Sequence, residues 1–305
     1  MPDTTSAGRI RIMPYASSSA SGRALKDVLA SVYTDNRDVL RIHNQASSEY
    51  VAMDRDIIIN WGTSREMLRN TQVAGVEDHS DTYGIPITVF NKSRAISNAV
   101  YKTAAYKIFD ENDIPTVQYL HKPAAGWHDT ERTLIEKWME DSGIIMRDTQ
   151  RSHGGRNTTY IKAPDVAAID RCKLITKYIP KKKEYRINVM DDGTGNYNAF
   201  DIIEKKRSYS VPREDVDWQI RSQQCGWVFA RNNIDVPDDA ISFAIQAVKA
   251  LNLTFGAVDV ILGVDNSLYV LEVNTAPGMC SPTTILNYAR SFHKLITNTE
   301  NANAV

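Results

Sequence analysis

Hydrophobic and polar positions follow two different periods along the chain, which predicts strands interleaved with helices. In the first hundred residues, short apolar runs bounded by turn residues are typical of strands, and one longer segment repeats its apolar positions at helical spacing. The strand candidates are RIRIMPY (9 to 15), DIIINWG (56 to 62) and ITVF (87 to 90), and the helix candidate is SGRALKDVLASVY (21 to 33). These elements predict a small α/β lobe.

A helix is predicted to leave this lobe at residues 97 to 114, SNAVYKTAAYKIFDENDI. Its apolar residues recur at helical spacing, Ser97 is the expected N-cap, and the helix should stop before Pro115. Strands and helices continue to the end of the chain, where we expect the tail NTENANAV to be disordered. The remaining predicted elements are strands at 143 to 148, 172 to 179, 184 to 190 and 198 to 207, a polar glycine loop at 149 to 160, and a helix at 238 to 252.

Two apolar runs near the end of the chain predict a β-hairpin that carries three oxygen-bearing side chains. The runs flank GVDNS (263 to 267), a segment rich in turn residues. Asp259 lies on the first run, and Glu272 and Asn274 lie on the second. A spacing of two places the Glu272 and Asn274 side chains on the same sheet face, and antiparallel pairing can bring Asp259 beside them.

Three oxygen donors without a histidine or a thiolate suit Mg²⁺ or Mn²⁺ better than zinc. The alternative is that the two acids, Asp259 and Glu272, point to solvent, as they do on an exposed antiparallel edge. Their neighbours are apolar on both sides, however, so the strands should be covered. A covered carboxylate without a cation is costly. A divalent metal site is therefore our expectation.

A metal of this kind usually accompanies the phosphates of a nucleotide, which also need cations and a flexible loop. Lys102 on the interlobe helix, Arg147 at a strand end and Lys205 at another strand end are candidates. The alternative for any single lysine is a solvated surface charge. The SHGG turn lets backbone amides approach phosphate oxygens. Neither a Walker motif nor a G-x-G-x-x-G fingerprint is present.

Composition narrows the class of protein. The chain has 305 residues, a formal net charge of -1 and 42% hydrophobic residues, enough for a core and for more than one lobe. No apolar run approaches the ~20 residues of a membrane helix, and the amino terminus lacks the apolar segment of a signal peptide. We therefore expect a cytoplasmic protein with no membrane partner. The charge balance gives no reason to expect nucleic acid, and three scattered cysteines argue against disulfides or a thiolate zinc site.

The order of these features resembles the ATP-grasp superfamily over roughly residues 9 to 295, in particular ligases of the D-alanine:D-alanine and ribosomal-protein glutamate types. The most specific segment is GAVDVILGVDNSLYVLEVNTAPGM, which is similar to the family's D-x-x-x…E-x-N-x-x-P-G metal signature. The resemblance implies an α/β (α+β) ATP-grasp fold in which two α+β subdomains clasp ATP. It implies an N-terminal lobe at 1–95, a central subdomain with a glycine-loop lid at 96–178, a C-terminal subdomain with the metal site at 179–297, and a disordered tail at 298–305.

The resemblance also implies roles for individual residues. Asp259 and Glu272 would bind one Mg²⁺, and Glu272 with Asn274 a second, so that two ions bridge the ATP phosphates; Mn²⁺ is the alternative metal. His153 would contact phosphate or act as a base, or it is an incidental loop residue. The full set implied to contact ATP is Lys102, Arg147, His153, Gly154, Gly155, Lys177, Tyr178, Ile179, Glu184 and Lys205.

Three departures from the family pattern qualify this expectation. Arg147 stands where most members carry a second lysine. A guanidinium can donate to two oxygens at once, whereas a lysine ammonium is a compact point charge. The acidic residue often found at the start of the adenine hinge is missing. Ala257 stands where D-alanine ligases carry an arginine that stabilises the tetrahedral intermediate. Arg186 and Arg221 are the candidate catalytic replacements, so a strict D-alanine ligase is not expected.

The activity implied is an ATP-dependent carboxylate-amine ligase that forms an amide through an acyl phosphate and releases ADP and phosphate. Its partners would be small-molecule or peptide carboxylates and amines, and the chain is a candidate homo-oligomer. The alternatives are a non-catalytic ATP-binding module of the same fold and a phosphotransferase. The segment PYASSSASGR (14 to 23) reads equally as a carboxylate cradle or as a polar N-cap loop.

Overall fold

The computed structural model describes residues 8–33, 37–41, 55–64, 87–149, 158–163, 165–279 and 281–303. The strands are β1 Ile10–Pro14, β2 Val39–Arg41, β3 Ile57–Trp61, β4 Thr88–Phe90, β5 Tyr119–His121, β6 Ile144–Arg147, β7 Thr158–Ile161, β8 Leu174–Lys177, β9 Lys181–Asp191, β10 Tyr197–Arg207, β11 Trp227–Ala230, β12 Phe255–Gly263 and β13 Leu268–Asn274. The α-helices are α1 Ala20–Val32, α2 Ser93–Val100, α3 Lys102–Glu111, α4 Asp129–Asp141, α5 Val166–Arg171, α6 Asp238–Ala250 and α7 Pro282–Asn303.

Sheet I forms the N-terminal α/β lobe, with parallel strands in the order β2-β1-β3-β4. Strands β1 and β3 are buried along their whole length, which explains their nearly continuous apolar sequences. Leu25 and Leu29 of α1 pack on this sheet together with Tyr288 and Phe292 of α7. The C-terminal helix therefore completes the core of the N-terminal lobe.

The predicted interlobe helix is two helices rather than one. Tyr101 has an extended conformation (φ -84°, ψ 100°) that separates α2 from α3. Ser97 is not an N-cap, because α2 begins four residues earlier, at Ser93, and the Ser97 carbonyl accepts a hydrogen bond from the Tyr101 amide. The helix starts early because Ala95 and Ile96 are buried in the core. The break makes Lys102 the first residue of α3.

Sheet II is antiparallel, with strand order β5-β8-β6-β7. Its apolar face is covered by α4 and α5, through Trp138 and Ile169 among others. Gly143, which precedes β6, has φ +99°, and a β-carbon there would lie 2.5 Å from the Tyr160 ring. A glycine is therefore required by both the backbone and the close approach.

Sheet III is antiparallel, with strand order β11-β10-β9-β12-β13, and contains the predicted hairpin as β12 and β13. One face carries Tyr185, Ile187, Val258 and Val260, which pack with α2, α3 and α6 in the largest core. Side chains alternate between the faces of a strand, so the residues between these apolar positions occupy the opposite face. That opposite face is polar and holds the candidate site.

The predicted disordered tail at 298–305 is wrong for residues 298–303, which belong to α7. Three contacts hold this last part of the helix. The Asn298 side chain donates to the Asp192 carbonyl at 2.6 Å, the Thr299 hydroxyl donates to the Leu295 carbonyl at 2.8 Å, and Glu300 accepts from Arg37. The contacts of Asn298 and Glu300 join parts of the chain that are far apart in sequence, so a polar composition alone does not predict them.

The implied division at 95/96 and 178/179 stays a prediction. The second of these boundaries lies between sheets II and III, whereas the first lies within α2, which packs with α3 in the core of sheet III. Within the described residues, no helix is long and apolar enough to cross a membrane.

Candidate functional site

The polar face of sheet III is built from two adjacent rows of paired residues. In the first row, Asp259 pairs with Glu272 on one side and with Arg186 on the other, and Arg186 pairs with Ile203. The second row comprises Asn274, Ala257, Asn188 and Asp201. Because directly paired residues share a face, strand register alone brings both carboxylates, Asp259 and Glu272, together with the amide of Asn274.

Asp259 is buried and held by two cations. Arg186 donates from Nε to Oδ1 at 2.8 Å and from Nη2 to Oδ2 at 2.9 Å, and Lys205 Nζ donates to Oδ2 at 3.1 Å. Burial raises the pKa of Asp259, but Arg186 and Lys205 outweigh it and hold the pKa well below its ordinary value. The carboxylate is therefore ionised and does not point to solvent.

Glu272 has its own cation. Lys102 Nζ donates to Glu272 Oε2, and the Asn274 amide donates to Oε1 at 3.2 Å. Burial and the nearby Asp259 carboxylate both raise the pKa of Glu272. The Lys102 ammonium lowers it by more, so the pKa lies below its ordinary value. Because α3 begins at Lys102, this ammonium reaches Glu272 on β13, the last strand of sheet III.

Glu184 extends the charged network towards the hinge between sheets II and III. Lys205 donates to its Oε1, and Lys181 donates to its Oε2 at 2.9 Å. Burial raises the pKa of Glu184, and the two ammonium groups lower it below its ordinary value. Burial also lowers the pKa of Lys181, despite its contact with Glu184. Sequence reasoning missed Lys181, although the run KKKE was a visible signal.

The donor set fits a divalent cation bound with phosphates. Among the described residues, no group of three or more His, Cys, Asp or Glu side chains is arranged to hold a metal, so the candidate ligands are two carboxylates and one amide: Asp259, Glu272 and Asn274. Both carboxylates are ionised and their oxygens suit Mg²⁺ or Mn²⁺. Long cationic side chains surround them and are the groups that phosphate oxygens require.

Arg147 lies at the end of β6, where the chain enters the predicted lid loop. Its Nη1 donates to the Thr176 hydroxyl at 3.2 Å, whereas its Nε is buried and has no partner within the described residues. A buried unpaired donor is costly, so a ligand acceptor at this position would be favourable. The other predicted lid residues, His153, Gly154 and Gly155, lie outside the described residues.

The predicted adenine hinge comprises Lys177, Tyr178 and Ile179, which lie at the end of β8 and directly after it. These three residues differ in what they contact. Lys177 forms a salt bridge with Asp141 at 3.0 Å, which engages its ammonium at the surface. The Tyr178 amide donates to the Gly143 carbonyl, and the Tyr178 carbonyl accepts from the Ser142 hydroxyl at 2.6 Å. The Tyr178 backbone is thus used within the protein. Ile179 packs at the edge of the sheet III core.

The two candidate catalytic arginines occupy different places. Arg186 is on the first row, bound to Asp259. Arg221 instead lies near the hinge, where its Nη2 donates to the Lys181 carbonyl at 2.9 Å and its guanidinium stacks 4.3 Å from the Trp227 ring centroid. Burial lowers the pKa of Arg221. Arg221 therefore sits near Glu184, while Arg186 sits with the carboxylates.

A cavity of about 210 Å³ opens on the polar face beside Arg186. It is also lined by Arg231, a residue that sequence reasoning missed. Arg231 is held by the buried Asp201 through two hydrogen bonds of 2.9 Å each. No motif identifies Arg231, because its position depends on the register between β10 and β11.

The N-terminal lobe reaches the loop that follows β13. Gly62, directly after β3, has φ +88°, and a β-carbon there would lie 2.7 Å from the Ala276 side chain. Ser19 caps α1 by accepting from the Gly22 amide at 3.1 Å, and Ser21 accepts from the Trp61 indole at 3.0 Å. These contacts favour the N-cap interpretation of the serine-rich segment.

Comparison with known proteins agrees with this architecture. No family model and no curated protein matches the sequence. Among solved structures, D-alanyl-alanine synthetase A of Vibrio cholerae is similar at a TM-score of 0.64, with 14% identity over 96% of this chain and 99% of that chain. The D-alanine–D-alanine ligase of Bacillus anthracis has a TM-score of 0.65, with 15% identity over 97% and 98%. The ATP-grasp ligase PsnB has a TM-score of 0.65, with 13% identity over 95% and 100%. The chain therefore has the ATP-grasp fold, as the sequence predicted.

Proposed function

We propose that this protein is an ATP-dependent carboxylate-amine ligase that activates a carboxylate as an acyl phosphate. The observation that carries the proposal is the row on sheet III, in which Asp259 and Glu272 are adjacent, ionised and surrounded by Lys102, Arg186 and Lys205. Each covered charge costs desolvation free energy, and a bound divalent metal and nucleotide would offset that cost.

The structural neighbours support this proposal by what they bind. One structure of the Bacillus anthracis ligase is complexed with ATP, and one of PsnB is complexed with a minimal precursor, Mg and ADP. For this chain we propose ATP with Mg²⁺, two ions as in the implied signature, and a small-molecule or peptide carboxylate and amine. Mn²⁺ is a second candidate metal, because it accepts the same oxygen ligands.

Asp259, Glu272 and Asn274 would hold the ions, which neutralise negative charge on the phosphates when bound. Lys102 and Lys205 would then donate to phosphate oxygens instead of carboxylates, together with Arg147. In the reaction, a carboxylate oxygen bonds to the γ-phosphorus as the bond to ADP breaks. The amine then attacks the carbonyl carbon, the bond from that carbon to the phosphate oxygen breaks, and the nitrogen loses a proton to solvent as phosphate leaves. We assign Arg186 to the charge that develops at the carbonyl, and Ile179 with the hinge to adenine.

The test is phosphate release with ATP, Mg²⁺ and a panel of amino acids and peptides. We expect release only with a productive pair, together with an amide product whose mass equals the two substrates minus water. Glu272→Ala should abolish release, whereas Glu111→Ala, an exposed glutamate on α3, should leave it unchanged. ATP binding without turnover would favour the non-catalytic module. A stable phosphorylated product would favour the phosphotransferase. Either result would overturn the ligase proposal.

A further inference from the structure

The cavity beside Arg186 contains two guanidinium groups that are held in the same way. Arg186 donates hydrogen bonds to Asp259 through Nε and Nη2. Arg231 donates to Asp201 through the same two nitrogens. In each arginine, Nη1 is the nitrogen that the aspartate does not engage. A guanidinium fixed by a carboxylate keeps its orientation, so it loses little freedom when it binds a ligand.

Arg231 is held by more groups than Asp201 alone. Its Nη2 also donates to the Thr284 hydroxyl in the first turn of α7. Asp201 additionally accepts from the Asn287 amide at 3.1 Å, one turn further along that helix. Asp201 is 5% exposed. A buried aspartate and two residues of α7 thus position one arginine at the wall of a cavity, an arrangement that a solvated surface arginine does not need.

The register of sheet III sets the separation of the two arginines. Arg186 pairs with Ile203 on β10, and Glu204 pairs with Ala230 on β11. Arg231 directly follows Ala230, the last residue of β11. Adjacent strands are about 4.8 Å apart, and β10 lies between β9 and β11, so the two arginines are carried about two strand spacings, roughly 10 Å, apart. Both side chains line the same cavity.

The size and lining of the cavity limit its ligand. A volume of about 210 Å³ is below the roughly 300–1,000 Å³ of pockets for drug-sized molecules, and it suits a molecule the size of an amino acid. Ile203 and Phe229 supply apolar wall between the two arginines. A short aliphatic stem with an anionic group at each end matches this distribution.

We propose that the cavity binds a small dicarboxylate, with its non-reacting carboxylate on Arg231 and its reacting carboxylate facing Arg186 and the metal ligands. The inference rests on the proposed function and names its substrate class. Arg231 also supplies a guanidinium to a site in which Ala257 provides none. Arg231 is a specificity-determining residue, and Asp201 positions it.

The test is calorimetric titration of the protein saturated with ADP and Mg²⁺, using succinate, glutarate and both enantiomers of glutamate and aspartate. Each compound is compared with its monoamide. We expect at least one dicarboxylate to bind the wild type, and Arg231→Met to weaken it about ten- to hundredfold, the loss expected for a charge-assisted hydrogen bond. Glutamate and aspartate each have two distinct monoamides, and the one that lacks the Arg231-bound carboxylate should bind wild type and variant equally.

Because Arg231→Met leaves Asp201 buried without a cation, the double variant Arg231→Met/Asp201→Met is titrated in parallel, since removing both charges of a buried pair is better tolerated. The control is Arg132→Met/Asp170→Met, which removes an exposed pair between α4 and α5. Failure of the wild type to bind ADP with Mg²⁺ would overturn the proposed function. Normal ADP binding with no dicarboxylate bound, or with equal affinity in the Arg231 variants, would overturn this inference alone.

Discussion

Lys102→Met tests whether the protein's own cations occupy the proposed metal ligands before a nucleotide binds. The Lys102 side chain is 7% exposed and donates to Glu272, whose side chain is 28% exposed. Methionine keeps an unbranched stem and a high helix propensity, but it has no charge. The substitution therefore removes the ion pair and leaves α3 able to form.

The expected magnitude follows from that contact. A hydrogen bond to a charged group contributes about 1.5–3 kcal/mol. A metal that binds Glu272 must first break this bond, and every 1.4 kcal/mol corresponds to about a tenfold change in affinity. Repulsion between the ammonium and the metal acts in the same direction. Nucleotide-free Lys102→Met should therefore bind Mn²⁺ at least about tenfold more tightly than the wild type. Its affinity for ADP should fall, because the phosphates lose a cation.

The assay measures free Mn²⁺ by electron paramagnetic resonance at fixed ionic strength, with no nucleotide present, and ADP affinity by calorimetry. Lys107→Met is the matched control, because Lys107 lies on the same helix and pairs with Glu111 at the exposed surface. An unchanged or weaker Mn²⁺ affinity in Lys102→Met would refute the competition between ammonium and metal. Opposite changes in the two affinities distinguish this model from a general loss of structure.

Three further predictions concern stability, each measured by urea unfolding. Trp61→Ala should cost about 3–5 kcal/mol, because the ring is fully buried against Phe255; a loss below about 1 kcal/mol would contradict that packing. Gly143→Ala should destabilise more than Gly126→Ala, since both have positive φ but only at Gly143 would a β-carbon lie 2.5 Å from a tyrosine ring; equal losses would mean that the clash is relieved. Burial raises the Asp259 pKa, but Arg186 and Lys205 hold it below the ordinary 3.8, so this carboxylate's stabilisation is present above that value and is lost as pH falls through the folded pKa. In Arg186→Met the folded pKa of Asp259 moves up towards the ordinary value, so the loss of stability on acidification should be smaller; an unchanged acid limb would argue against the pairing.

The pattern of apolar and polar residues along the sequence predicts most of the strands and the pairing of Asp259 with Glu272. The hairpin was predictable because apolar runs flank a turn, and Asp259 and Glu272 are indeed opposite each other. The break at Tyr101 was not predictable, because the apolar spacing continues through it. The helical end of α7 was not predictable either, since its polar residues are held by contacts with Asp192 and Arg37 from distant parts of the chain.

The amino-acid sequence by itself determined the alternation of strands and helices and placed Asp259, Glu272 and Asn274 on one hairpin, because periodicity and spacing are local properties. The ATP-grasp fold was implied by the resemblance of that hairpin to a known signature, and the solved structures share it. Only the tertiary structure decided which cation meets which carboxylate. Arg186 reaches Asp259, Lys102 reaches Glu272, and Arg231 reaches the cavity through Asp201. These pairings depend on strand register and helix packing between residues far apart in the chain, and such contacts leave no spacing in the sequence from which they can be read.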